Sequence, residues 1–278
     1  MRRNVLIIII VMLLLFFTNP LFTLAQTNKE RLPGVVCTTS ILAHLTEEIA
    51  QELVSVTTIA PAGMCPAHFD IKPSQIKAVR EAKVLISHNF EPWIENLLVS
   101  AERPDINRLI LAGPWNIPSG AIAKINQIAN ILSEQFPQNE QQFFFNAQKI
   151  IQNINDSAED LKAKADHLKV NEYKVITSIH QEPFVQWLGF KVLASYPAPE
   201  TISVRQFLEL LLIGKREKVA IIVDNLQSGT DLGARLASDL KAQQAILTNF
   251  PGLIPQTESL VKMLNYNAEQ LFKAIGEN

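Results

Sequence analysis

Between residues 139 and 169, apolar side chains stand at Phe143, Ala147, Ile150, Ile151, Ile154, Ala158, Leu161, Ala165 and Leu168, mostly in steps of three and four, with polar residues filling most positions between. This spacing predicts one amphipathic helix. Pro137 stands just before it and no Gly or Pro interrupts it. At about 1.5 Å of rise per residue the helix would span roughly 46 Å, about the length of a whole small domain. On both sides of it the sequence alternates short apolar runs with amphipathic stretches, the pattern of an α/β fold. The expected architecture is two α/β lobes, each with a mostly parallel sheet flanked by helices: an N-terminal lobe at 33–136, a linking spine at 137–170 and a C-terminal lobe at 171–278. The alternative is an ordinary long helix packed on one domain.

Residues 1–25 are excluded from this fold. Arg2 and Arg3 precede an unbroken apolar run at 5–17, and Thr23-Leu24-Ala25 offers a small-residue cleavage site before Gln26. That is the signature of a secretory signal peptide, and it predicts a periplasmic mature chain. The run is shorter than the about 20 residues a spanning helix needs, so an uncleaved N-terminal anchor is the minor alternative. No cysteine lies near the cleavage site to carry a lipid. The formal net charge of −2, with no run of like charges, leaves no basic surface for nucleic acid and excludes that class of partner. Export also places Cys37 and Cys65 in an oxidising compartment, where a structural disulfide becomes one reading of the pair.

Strands are expected at 34–37, 54–60, 83–87 and 108–112, and again at 173–179, 191–195, 219–223 and 245–247. Thr38, Thr39 and Ser40 are expected to cap the first helix. Strand, helix, strand with short loops means parallel pairing, and ligands of such sheets sit beyond the carboxyl ends of the strands. In the first half those ends carry Cys37, the Pro- and Gly-containing loop 61–70, His88 and Gly113; in the second half they carry His180, Tyr196, Asp224 and Thr248. Two lobes with these ends facing each other would make a cleft.

The loop after the second strand, with Pro61, Gly63, His68-Phe69-Asp70 and Pro73-Ser74-Gln75, resembles the loop "P-x-G…PH-x-[YF]-x-x-x-P-S" of the zinc and manganese substrate-binding proteins of bacterial ABC importers. The likeness continues through Asn89-Phe90-Glu91-Pro92-Trp93, through Pro114-Trp115-Asn116-Ile117-Pro118, and through His180 with Trp187-Leu188-Gly189-Phe190. It covers the chain from about residue 33 to the C-terminus. The resemblance implies a two-lobed fold with a long backbone helix, no enzymatic activity, a monomer that docks on a membrane permease, and a metal ion between the lobes held by His and acidic ligands. Carried over position by position, the first His matches His68 and the third ligand matches His180. The second falls on Gly113-Pro114-Trp115, which has no His, and the late Asp falls near Thr248-Asn249, which has no carboxylate.

The residues themselves suggest a replacement set. Cys65 and His68 have C-x-x-H spacing on one loop, and Cys37 ends the neighbouring strand, so Cys37, Cys65, His68 and His180 together form a candidate Cys₂His₂ site. Thiolate and imidazole suit zinc; sulfur also suits copper, whereas manganese prefers oxygen. The disulfide between Cys37 and Cys65 and a pair of unrelated free thiols remain the alternatives. His88 is a reserve ligand, and Glu182 and Asp224 are candidate acids for orienting an imidazole. His44 and His167 read as solvated or helix-terminal, and Trp93, Trp115 and Trp187 as core. Two other functions stay open: an enzyme with Cys65 as nucleophile and His180 as base, and a relative that has lost its metal and binds a partner or acts as a scaffold.

Overall fold

The computed structural model describes residues 34–64 and 69–276, so the region read as a signal peptide lies outside the described residues. The Val-rich run after Pro33 forms β1 (Gly34–Thr39), buried along nearly its whole length as a central parallel strand must be. It pairs on one side with β2 (Ser55–Ala60) and on the other with β3 (Val84–Ser87), which in turn pairs with β4 (Asn107–Ile110), every pairing parallel. The helices between them are α1 (Ser40–Ala50), α2 (Pro73–Glu81) and α3 (Ile94–Ser100). Pro73 opens α2 because the first helical position needs no donor, and Gln75 Oε1 accepts from Lys72 N at 2.7 Å to close the turn.

The second half repeats the layout. β5 (Lys174–Ser178) is flanked by β6 (Lys191–Tyr196) and β7 (Ile221–Asn225), and β8 (Gln243–Leu247) pairs with β7, again all parallel. The strand orders are β2-β1-β3-β4 and β6-β5-β7-β8. The α/β class with two parallel sheets is therefore as expected. One short helix was not anticipated: α6 (Glu182–Leu188) follows β5 and ends at Gly189, whose φ of 114° suits only glycine.

Between the sheets in sequence run α4 (Pro118–Gln135) and the long helix α5 (Glu140–His167). At 28 residues, α5 spans about 42 Å, slightly shorter than expected, because 3₁₀ turns at Pro137–Asn139 and Val170–Glu172 take over its ends. It packs against α1 and α4 on the N-terminal side and against α9 (Leu260–Ala274) on the C-terminal side. Its buried Phe143, Ala147, Ile154, Leu161 and Ala165 belong to one continuous core that includes Val35 and Ile86 of the first sheet and Val175 and Ile221 of the second. The expected 3.6-residue stripe is thus the face that joins both sheets to one core.

Each sheet's other face has its own smaller core. Val36, Leu85, Trp93 and Leu97 build one under α2 and α3, and Ile176, Tyr196, Ile222 and Leu236 build the other under α7 (Val204–Glu217) and α8 (Asp231–Leu240). No described helix is long and apolar enough to cross a membrane.

Candidate functional site

Parallel sheets leave a crevice where the strand order reverses, and here each sheet reverses beside its first strand. In the N-terminal sheet the reversal lies between β1 and β3, where Thr39 meets His88. Thr39 Oγ1 stands 3.0 Å from His88 Nε2, and His88 Nδ1 stands 3.2 Å from the Leu111 carbonyl. A carbonyl only accepts, so Nδ1 carries the hydrogen and Nε2 accepts from the threonine. Burial pushes the His88 pKa down to about 4, against the pull of the nearby Glu91 charge. Glu91 itself is buried, accepting from the His88 amide at 2.9 Å and from Thr38 Oγ1, while its Oε2 has no partner in the structure. Two of the three hydroxyls expected to cap α1 are thus spent elsewhere, Thr38 on Glu91 and Thr39 on His88, while Ser40 Oγ has no hydrogen-bond partner.

In the C-terminal sheet the reversal lies between β5 and β7, where Gln181 meets Asn225. Gln181 Nε2 donates to Asn225 Oδ1 at 2.9 Å and to Asn249 Oδ1 at 3.0 Å. Asn249 follows β8, and its Oδ1 also accepts from Asn116 Nδ2 at 3.1 Å. Asn116 comes from the N-terminal half, and it donates further to the His180 carbonyl at 3.0 Å, while Trp115 Nε1 donates to the Asn249 carbonyl at 2.7 Å. A buried seam of amides therefore ties the segment after β4 to the loops after β5 and β8. Lys124 holds that segment from behind, donating to the Ala112 and Pro114 carbonyls at 2.8 and 3.3 Å, and Gly113 makes the turn with a φ of 78°.

In front of the seam opens a cleft of about 390 Å³, lined from the first half by His88, Phe90, Gly113 and Trp115 and from the second by Ile179, His180, Pro183 and Asn249. The His88 ring lies 4.8 Å from that of Phe90 and 4.6 Å from that of Trp115, forming an aromatic wall. His180 sits in the turn after β5. Its imidazole makes no hydrogen bond to any described residue, and the residue lines the cleft. Although the residue is exposed by surface area, surrounding protein lowers its pKa below the usual histidine value, with Glu200 partly opposing, which favours the neutral, ligand-competent imidazole.

The structure separates the residues singled out from sequence. Cys37 leaves the candidate ligand set: β1 continues two residues past the expected strand end, so its side chain faces the core, fully buried, with Sγ 3.5 Å from Thr46 Oγ1. Burial also pushes its pKa up to about 12. Cys37 is a free thiol, which removes the alternative of a disulfide with Cys65. His88 leaves as a reserve ligand because both ring nitrogens are already engaged. Cys65 and His68 lie outside the described residues. Glu182 bonds Gln186, and Asp224 is held by Tyr196 and Gln244 inside the second outer core, so neither orients a cleft imidazole. All three tryptophans pack in or against the cores as expected, and Trp115 also walls the cleft. Among the described residues no group of three or more His, Cys, Asp or Glu side chains could hold a metal ion.

Sequence reasoning missed the amides. Asn116, Gln181, Asn225 and Asn249 carry no motif individually, yet each lies at or after a strand end where parallel sheets place ligands, and that position was the available signal.

Residues 35–274 match the family model of ZnuA, described as zinc-uptake complex component A, periplasmic. A metal ABC transporter substrate-binding lipoprotein, ScbA of Streptococcus cristatus, is 24% identical over 55% of this chain and 57% of its own, so the chain spans little more than half of that relative. The uncharacterized protein RP014 of Rickettsia prowazekii (strain Madrid E) is 25% identical over 77% of this chain and 73% of its own. Among solved structures, the Mn-bound periplasmic metal binding protein of Candidatus Liberibacter asiaticus superposes with a TM-score of 0.75 at 17% identity, covering 87% of this chain and 99% of that one. A crystal structure of ZnuA gives a TM-score of 0.73 at 18% identity, covering 88% and 99%. With nearly every described residue inside the matched span, and with the paired parallel sheets shared by these structures, the chain belongs to the ZnuA family of metal ABC transporter substrate-binding proteins.

Proposed function

We propose that the chain is the extracytoplasmic solute-binding protein of an ABC importer, exported to the periplasm and acting as a monomer. Its two lobes, 33–136 and 171–278 joined by the spine at 137–170, capture a transition metal ion, zinc foremost, and deliver it to a membrane permease. Binding and release of an ion need no covalent catalysis. The observation that carries the reading is His180, an imidazole without a hydrogen-bond partner among the described residues, which lines from the second half a cleft at both strand-order reversals. Its proposed co-ligands, on sequence grounds, are His68 and Cys65, a soft donor set that favours zinc or copper over manganese. Three protein donors leave one coordination position open.

A second reading is a family member without metal that binds a partner. It is favoured by the scarcity of donors among the described residues and by the amides that occupy the base of the cleft.

Zinc titration of the reduced protein separates the two. The wild type should bind one ion, His180→Ala should weaken binding by at least about 100-fold, since even outer partners of metal ligands cost 10–100-fold, and Cys37→Ala should leave affinity unchanged. Wild-type binding no tighter than that of His180→Ala would favour the metal-free reading; a large loss in Cys37→Ala would restore the original four-residue site.

A further inference from the structure

The two halves of the chain are joined in two places. Behind, α5 contributes to one apolar core that includes residues of both sheets. On the cleft side, Trp115 and Asn116 of the first half reach into the second. Trp115 Nε1 donates to the Asn249 carbonyl at 2.7 Å, and its ring lies 5.7 Å from that of Phe250. Asn116 Nδ2 donates to the His180 carbonyl at 3.0 Å and to Asn249 Oδ1 at 3.1 Å. Two consecutive residues thus engage the loops after β5 and β8 at once, by side-chain donors and by a ring contact.

The chemistry of these bonds fixes how each amide is turned. A backbone carbonyl only accepts, so Asn116 and Asn249 both turn Nδ2 toward the His180 carbonyl, Asn249 at 3.2 Å. That leaves Asn249 Oδ1 to accept from Asn116 and, at 3.0 Å, from Gln181 Nε2. Asn116 is 3% exposed, Asn249 6% and Gln181 0%, so these donors and acceptors meet protein rather than water. The segment that carries Trp115 and Asn116 is itself backed by α4. Lys124 donates to its carbonyls, and Gly120 lets the helix lie against it, since a Cβ there would stand 2.2 Å from the Pro114 carbonyl oxygen. Every side chain of the seam is uncharged, so it closes without an ion or a proton.

We propose that Trp115 and Asn116 form a latch that holds the two halves in one arrangement whether or not the cleft is occupied. A swing of the halves about α5 would have to break its bonds together. The cleft is therefore preformed, and its solute enters from the open side rather than by parting of the halves. The latch does not depend on which solute the cleft takes.

The test is made on protein stripped of metal with EDTA, by NMR hydrogen exchange of the indole N–H groups of Trp93, Trp115 and Trp187 together with small-angle X-ray scattering. Asn116→Ala should speed exchange at the Trp115 indole by about tenfold, because it removes two hydrogen bonds of ordinary net strength from the latch. It should also enlarge the radius of gyration. Trp93 packs in the outer core of the first half and Trp187 against the joint core, so their unchanged exchange shows that both halves remain folded. Trp115→Phe keeps a ring beside Phe250 and loses only the indole donor; it should enlarge the radius by less, and it decides the matter by scattering should Asn116→Ala fail to fold. Stripped wild type whose Trp115 indole exchanges as fast as that of Asn116→Ala would overturn the latch. So would wild-type scattering in the folded variants, which would leave the core on α5 as all that holds the halves.

Discussion

Gly233→Ala is expected to destabilise the protein by about 3–5 kcal/mol, a large fraction of the 5–15 kcal/mol that holds a typical protein folded. A Cβ at position 233 would lie 1.9 Å from Asp224 Oδ2 and 2.2 Å from Oδ1. The carboxylate has nowhere to retreat. Asp224 is fully buried at the end of β7, accepting from Tyr196 Oη at 2.7 Å and Gln244 Nε2 at 2.7 Å, and it also takes the Gly233 backbone amide at the start of α8. The glycine therefore lets the helix approach closely enough for its free N–H to meet the acid, a favourable place for a negative charge. Burial raises the Asp224 pKa, and these hydrogen bonds oppose that rise. Pushing the carboxylate aside would break charge-assisted bonds in a buried site and overpack it as well. Urea denaturation measures the loss. The cost should shrink in the background Asp224→Ala, because the clash is then gone, so the two substitutions should be strongly non-additive. A loss below about 1 kcal/mol for Gly233→Ala alone would show that this close approach is wrong.

The second large effect is acid sensitivity at His88. Its folded pKa of about 4 lies below the ordinary value of 6.5, so the unfolded chain takes up the proton first. The stability it contributes is complete above about pH 6.5, falls as the pH drops toward 4, and is level below that. A 2.5-unit depression corresponds to about 3 kcal/mol at the acid limit, and to about 2 kcal/mol by pH 5. The groups that face the ring are Thr39, the Leu111 carbonyl, Glu91 and Lys124; Glu91 opposes the depression, and Lys124, whose own pKa is lowered by burial, adds slightly to it. Other groups titrate over the same range, so the informative quantity is the difference between wild type and His88→Gln. The variant should lose about 2 kcal/mol less than wild type between pH 7.5 and pH 5, read from urea midpoints. Parallel losses would mean that His88 is not buried as a neutral ring.

The fold was legible because its signals are long and repeated. The apolar stripe from Phe143 to Leu168 has one geometric solution, and the Val- and Ile-rich runs separated by amphipathic stretches admit little besides parallel sheets. The site was less legible for a related reason. A strand buried on both faces has no polar alternation to show which side chain points where, so Cys37 read as a strand-end residue facing the cleft. Two further residues of strand turned it into core and left Thr38 and Thr39 to serve Glu91 and His88. Asp224 illustrates the same limit, since its partners Tyr196 and Gln244 come from β6 and β8, remote in sequence. His180 was placed correctly at a cleft-side turn because position after a strand suffices to locate it. The run Glu182-Pro183-Phe184-Val185-Gln186-Trp187-Leu188 is too short for helical periodicity to show, and α6 went unread.

The claim at the centre of this account is that the cleft carries a transition metal as cargo. The most direct measurement is elemental analysis of the protein isolated under reducing conditions from its native compartment, without added metal or chelator, beside the His180→Ala variant prepared identically. The account predicts close to one transition metal ion per chain in the wild type, zinc foremost, and a small residue in the variant. Wild-type protein with no transition metal, or a variant equally loaded, would contradict it.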